Sequence, residues 1–287
     1  KKKVIFFDNL DKDKINKFKK ENNKKNYLFI IISKSGNTIE TISNLFELNI
    51  LKFNAKNVLI ITERKKNFLS MISKKYNLPF IEHKHFIGGR YSVLSEVGLV
   101  PAYLMGVNIK KLRSNLRKYF KKKEIFFLKE SCIALSEIIN EKKFRSLIFI
   151  NYSPKLEKFL FWCQQLIAES LGKKNKGLLP IVSNAPKDHH SLLQLYLDGP
   201  KDKIFYIFHE KERKGNKLNL KKIFNKFDFL HDKNIEQVKI AQKNALKKTL
   251  IKNKIPFREF NLGSTDEQTL GELFSYFILE TSIVGKL

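Results

Sequence analysis

The sequence predicts an α/β fold with mainly parallel sheets, and three observations carry that reading. Short apolar runs of strand length alternate with longer stretches of helical period, the rhythm of parallel strands joined by crossover helices. Two of these runs, 27–33 and 147–152, read as strands that open such units, and 27–33 is continuously apolar, as strands covered on both faces are. Each of the two leads through a short polar loop into a helical pattern, at 33–38 and at 153–154. At about 150 residues per domain, the 287 residues have room for two units.

The elements follow in order. Residues 4–7 read as a short strand and 11–20 as a polar amphipathic helix. After the buried run 27–33, residues 38–53 carry Ile39, Ile42, Leu45, Phe46 and Ile50 at close to helical spacing. Val58–Thr62 is the next strand, 67–76 a helix and 79–82 a short extended piece. Beyond Gly88 and Gly89 the pattern is helical, through a basic stretch at 110–123 and a helix at 128–142. The run 147–152 opens a second α/β unit. Ser153 and Pro154 make a good helix entry, a capping hydroxyl followed by proline at the first helical position, and Gly172 a good stop for the helix 154–171. Strands at 204–208 and 257–260 and helices at 235–253 and 269–286 complete the pattern. The boundary between the units falls within 108–145.

Composition removes several function classes. Hydrophobic residues make up 43% and charged residues 29%, a folded rather than a disordered balance. The longest apolar runs fall far short of the roughly 18 residues of a membrane span, and no signal peptide is expected from the opening residues. Cys132 and Cys163 have no paired spacing, so neither a disulfide framework nor a zinc site is expected, and the reducing cytoplasm is the expected compartment. The net charge of +28 raises nucleic-acid binding, but 49 of the 56 basic residues are Lys, scattered beside abundant Asn, Ile and Phe. Phosphate and base readers draw heavily on Arg. A compositional bias of the genome explains the charge, and no nucleic-acid partner is expected. Residue 1 is Lys and Leu287 ends inside a helical run, so the chain is expected to be a piece of a longer protein.

Four constellations could carry chemistry. Ser33, Lys34, Ser35, Gly36, Asn37 and Thr38 stand between a buried strand and a helix start. Backbone N–H groups, three hydroxyls and the positive end of a helix dipole converge there, which is what a phosphate monoester needs. A plain helix cap would need one hydroxyl rather than three. Gly88 and Gly89 before Arg90 allow a tight turn that presents a guanidinium, able to stabilise a forming oxyanion, although such an arginine is more often one half of a surface ion pair. Gln165 and Glu169, four apart, share one face near a helix end. The negative end of the dipole disfavours a charged carboxylate there, the direction a general base needs, while the residues by themselves fit an ordinary exposed helix glutamate better. Finally, Asp188, His189, His190 and Ser191 bring two adjacent histidines. Without a second ligand cluster at metal spacing they are expected to move protons or support structure rather than bind metal.

Together these segments resemble the glucose-6-phosphate isomerase family, which is built of two sugar-isomerase (SIS) domains. Residues 33–41 are similar to its first signature and 88–99 to its second. Residues 162–173 resemble the helix bearing the family's base, 184–200 the segment with its ring-opening histidine, and 256–287 its last strand and helix. The resemblance implies two three-layer α/β/α units with mainly parallel sheets: 1–108 as the C-terminal part of the first SIS domain, 109–144 as a helical connection and 145–287 as the second. It implies that Ser33, Lys34, Ser35 and Thr38 hold a sugar phosphate and that Glu169 moves the proton between C2 and C1. Arg90 would stabilise the enediolate, with Gln165 and Gly89 lining the site. His190, rather than His189, aligns with the ring-opening residue, since Ser191, Gln194 and Gly199 keep the family's spacing after it. In the family that histidine comes from the neighbouring subunit, which implies a homodimer, and neither metal nor organic cofactor is needed. The family's glycine-rich Gly-Gly-Ser segment and its catalytic lysine are not among these residues, and Lys286 is not that lysine. A dual phosphoglucose/phosphomannose isomerase and a non-catalytic sugar-phosphate-binding module are the alternatives.

Overall fold

The apolar runs read from the sequence become parallel strands. The computed structural model describes residues 3–141, 143–211, 215–218 and 229–287, and the chain divides into two units, Lys1–Ile109 and Lys110–Leu287. In the first, β1 (Phe29–Ile32), β2 (Val58–Thr62) and β3 (Phe80–Glu82) form a parallel sheet in the order β1-β2-β3, with Ile30 opposite Leu59 and Ile60 opposite Phe80. Parallel neighbours need crossovers. These are α2 (Ile39–Leu48) and α3 (Phe68–Lys75), preceded by α1 (Lys12–Glu21). Ile15 and Phe18 of α1, Leu45 and Leu48 of α2 and Leu69 and Ile72 of α3 bury against Phe29, Ile31, Val58 and Ile60. A short 3-10 turn (Gly89–Leu94) leads into α4 (Glu96–Leu104).

The second unit holds β4 (Ser146–Asn151), β5 (Leu179–Asn184), β6 (Lys203–Glu210) and β7 (Phe257–Leu262), all parallel in the order β5-β4-β6-β7. Its helices are α5 (Ile109–Arg113), α6 (Lys122–Asn140), α7 (Glu157–Leu171), α8 (Leu193–Asp198), α9 (Ile235–Lys252) and α10 (Glu267–Val284). One sheet face packs Ile148, Ile150, Phe205 and Ile207 against Tyr196 of α8 and Leu246 and Leu250 of α9. On the other, Phe149, Tyr206 and Phe208 meet Phe277 of α10, and Phe208 stacks on Phe260 with centroids 4.5 Å apart. The stretch expected as a helical connection, 109–144, lies from Lys110 onward within the second unit, where α6 packs against α10. Residue 142, the end of the helix expected there, lies outside the described residues. Among the described residues no helix is long and apolar enough to cross a membrane.

Several expectations change. Residues 4–7 are not a strand. Ile5 and Phe7 pack on the core, and the carbonyls of Phe7 and Asn9 accept from the Asn44 side chain, so side-chain bonds replace a ladder. The helix expected over 38–53 stops at Leu48, because Asn49 takes a left-handed conformation (φ 49°) that Asn tolerates. Ser153 does not cap with its hydroxyl; Asn151 Oδ1 accepts the Ser153 N–H at 3.0 Å instead. Strand β5 has no counterpart among the expected elements, because Pro180 argues against a strand. It is tolerated at the edge: the Leu179 N–H faces β4 and donates to the Arg145 carbonyl at 2.8 Å. By alternation Pro180 faces outward.

Candidate active site

The loop after β1 is held by its own first residue. Ser33, buried at the strand end, donates its N–H to the Ile61 carbonyl at 3.2 Å. Its hydroxyl accepts the Gly36 N–H at 3.1 Å, meets the Thr38 hydroxyl at 2.7 Å and lies 3.5 Å from that of Ser35. Gly36 turns the chain at φ +70°, a conformation that favours glycine. Thr38 is the N-cap residue of α2, yet with its hydroxyl against Ser33 it makes no side-chain cap bond. Three hydroxyls and a helix N-terminus with no side-chain cap therefore share one small volume, a natural anion site. Lys34 turns elsewhere: its ammonium lies 3.5 Å from Glu63 Oε1 and donates to the His85 carbonyl at 3.2 Å. The Lys65 ammonium, 2.5 Å from the Glu63 carboxylate, holds that buried acid below its usual range, with Lys34 adding to the effect. Behind them His83 is almost fully buried, and burial together with the Lys34 charge holds its imidazole below its usual pKa.

Arg90 opens the turn Gly89–Leu94, its guanidinium 5.1 Å from the Tyr91 ring centroid. The two glycines do not act as a left-handed turn. Gly88 has φ −63°, neither has a positive φ, and a Cβ on Gly89 would meet nothing within 4 Å. The glycine that shapes this segment is Gly98, where a Cβ would stand 2.0 Å from the Val93 carbonyl oxygen. It lets α4 lie directly against the Arg90 turn, which is locked by the Ser92 and Ser95 hydroxyls donating to the Gly89 and Ser92 carbonyls.

In the second unit, α7 carries Gln165 and Glu169 on its exposed side, and the Gln165 amide donates to Glu169 Oε1 at 2.8 Å. This fixes the carboxylate from one turn upstream. At the stop of α7, a Cβ on Gly172 would fall 2.5 Å from the Ala168 carbonyl. The histidines separate. His189 is half-buried with Nε2 2.8 Å from the Tyr152 hydroxyl, and burial holds its pKa below the usual value. His190 is exposed. Asp188 pins the preceding turn, accepting the Asn184 N–H at 2.7 Å and the Ser183 hydroxyl at 3.1 Å. Asn67, buried against Gly36, was not singled out from sequence. Its available signal was a capping pattern, Asn67 followed three residues later by Ser70.

A family model described as phosphoglucose isomerase matches residues 1–184. The chain is 32% identical to a probable glucose-6-phosphate isomerase from Methanococcus maripaludis, over 99% of this chain and 66% of that protein. It is 30% identical to a glucose-6-phosphate isomerase from Methanocaldococcus jannaschii, over 99% of this chain and 72% of that one. The chain thus spans about two thirds of the length of these curated relatives. A crystal structure of a glucose-6-phosphate isomerase from Chlamydia trachomatis shares the fold, with a TM-score of 0.75 at 18% identity over 96% of this chain and 58% of that one. The match over most of its length, together with a hydroxyl-lined loop at the end of a parallel sheet, establishes that the chain belongs to the phosphoglucose isomerase family.

Proposed function

We propose that this chain carries the substrate-binding and proton-transfer residues of a glucose-6-phosphate isomerase, interconverting glucose 6-phosphate and fructose 6-phosphate through a cis-enediol. The observation that carries the reading is the Ser33–Ser35–Thr38 hydroxyl cluster at the α2 N-terminus, with no side-chain cap from Thr38. A phosphate dianion there gains hydroxyl and backbone donors and the positive end of the helix. Lys34, held by Glu63 and the His85 carbonyl, reaches a bound phosphate by leaving them.

Moving hydrogen between C2 and C1 requires one base that reaches both carbons over a single face of a planar enediol. Glu169 is that base: a carboxylate accepts and returns a proton, and the Gln165 amide orients it. Arg90 stabilises the enediolate oxygen, and Gly89 and Gln165 are substrate-contacting residues. His190, exposed while His189 is bound to Tyr152, is the histidine free to open the sugar ring in a neighbouring copy of a homodimer, and the reading places the working protein in the cytoplasm.

The test is exchange of the C2 hydrogen of glucose 6-phosphate with deuterated water in the active protein. Glu169→Gln keeps size but removes the basic oxygen, and exchange should fall by at least about 10²-fold. Sugar-phosphate binding should persist, because the phosphate loop is untouched. Exchange at the wild-type rate in this variant would assign the base to another residue.

A further inference from the structure

Asn67 does more than start a helix. It is the N-cap residue of α3 and only 3% exposed, and its Oδ1 accepts the Ser70 N–H at 2.9 Å, which is all that capping asks. Its Nδ2 also donates to the Glu63 carbonyl at 3.0 Å. Its amide lies against the phosphate loop: a Cβ added to Gly36 would fall 2.0 Å from Asn67 Oδ1 and 2.3 Å from its Cγ. Two more bonds run beside this contact, from the Phe68 N–H to Asn37 Oδ1 at 2.9 Å and from the Leu69 N–H to the Gly36 carbonyl at 3.1 Å. The first amides of α3, which have no partner within their own helix, are thus bonded to the loop.

We propose that Asn67 is a positioning residue for the phosphate loop. With the α3 N-terminus it fixes Gly36 against the sheet, and through Gly36 it sets where the Ser33, Ser35 and Thr38 hydroxyls point. Through the Glu63 backbone it also places the carboxylate that engages Lys34. Asn67 itself does not touch substrate. The inference rests on the reading of residues 33–38 as the phosphate site, and the experiment separates the two.

Asn67→Ser keeps a capping oxygen but is too short to reach the Glu63 carbonyl or Gly36. Asn37→Ala removes the Phe68 bond at an exposed position. In the active protein, Asn67→Ser should raise the inhibition constant of inorganic phosphate and the KM for fructose 6-phosphate together, by about tenfold or more, with kcat within about twofold of wild type. Asn37→Ala should move both in the same direction by less. Gly36→Ala should lose phosphate binding, and adding Asn67→Ser should restore part of it by removing the clash. Wild-type phosphate binding by Asn67→Ser, when Ser33→Ala with Thr38→Ala has weakened it, would overturn the proposal and leave the phosphate site standing. Unchanged binding in the hydroxyl double variant would overturn the phosphate site itself. If circular dichroism shows Asn67→Ser unfolded, Asn37→Ala decides: wild-type phosphate binding there overturns the proposal.

Discussion

His189 and His190 are neighbours in sequence with opposite surroundings. His189 closes a buried polar pair with the Tyr152 hydroxyl, while His190 stands in solvent. His189→Ala should therefore lower stability by about 1–3 kcal/mol, the cost of leaving a buried hydroxyl without its partner, read by thermal unfolding. His190→Ala should leave the unfolding temperature unchanged and slow turnover of the cyclic sugar phosphate. A stable His189→Ala protein with destabilised His190→Ala would reverse the assignment. The sequence distinguishes the two only through a resemblance in spacing, because the Tyr152 contact spans 37 residues. Ser33, Ser35 and Thr38 were readable from composition and order alone, since their convergence is local to one turn. The direction of Lys34 was not readable: Glu63 and His85, which engage it, come from the loops that follow other strands.

At the scale of elements, α4 and the turn carrying Arg90 meet backbone to backbone. The obstacle to a Cβ at Gly98 is the Val93 carbonyl, and no side chain can rotate away to relieve it. Gly98→Ala should push the Gly89–Leu94 turn from α4 and misplace Arg90. Its expected signature is a fall in kcat of about tenfold or more, with phosphate inhibition near wild type, because the loop at 33–38 is not displaced. Equal kcat in Gly98→Ala would show that the turn absorbs the shift. Strands β1, β2, β4 and β6 were legible because their apolar runs need no partner to be recognised. Strand β5 was not, since the acceptability of Pro180 depends on an edge position that topology alone decides. Residues 4–7 failed for the opposite reason: a strand-like run has no ladder without a neighbour, and Asn44 takes up the carbonyls instead.

At the scale of the molecule, buried imidazoles set the response to acid. Burial, and then the Lys243 ammonium 3.2 Å from its Nε2, hold His209 below its usual pKa, as burial does for His83 and His189. An imidazole whose folded pKa is depressed contributes stability that is full above the unfolded value of about 6.5 and is lost as pH falls towards the folded value. Glu259, held at about 2 against burial by Lys243 and Lys247, changes the balance only at lower pH, below its ordinary value of 4.5. Urea midpoints should therefore fall between pH 6.5 and 5, and His209→Gln should flatten part of that slope. A flat profile in the unsubstituted protein would show that the buried histidines take up protons without cost. The outward face of β5, at the edge of its sheet, is poor in strand donors. Pro180 has no N–H to offer there, and the Asn184 N–H is occupied by Asp188, so along this rim alternation leaves Val182 as the only outward strand donor. A rim with one donor in six residues cannot template an incoming strand. In a lysine-rich chain that also exposes apolar side chains, this edge is guarded against strand-by-strand aggregation by its own sequence.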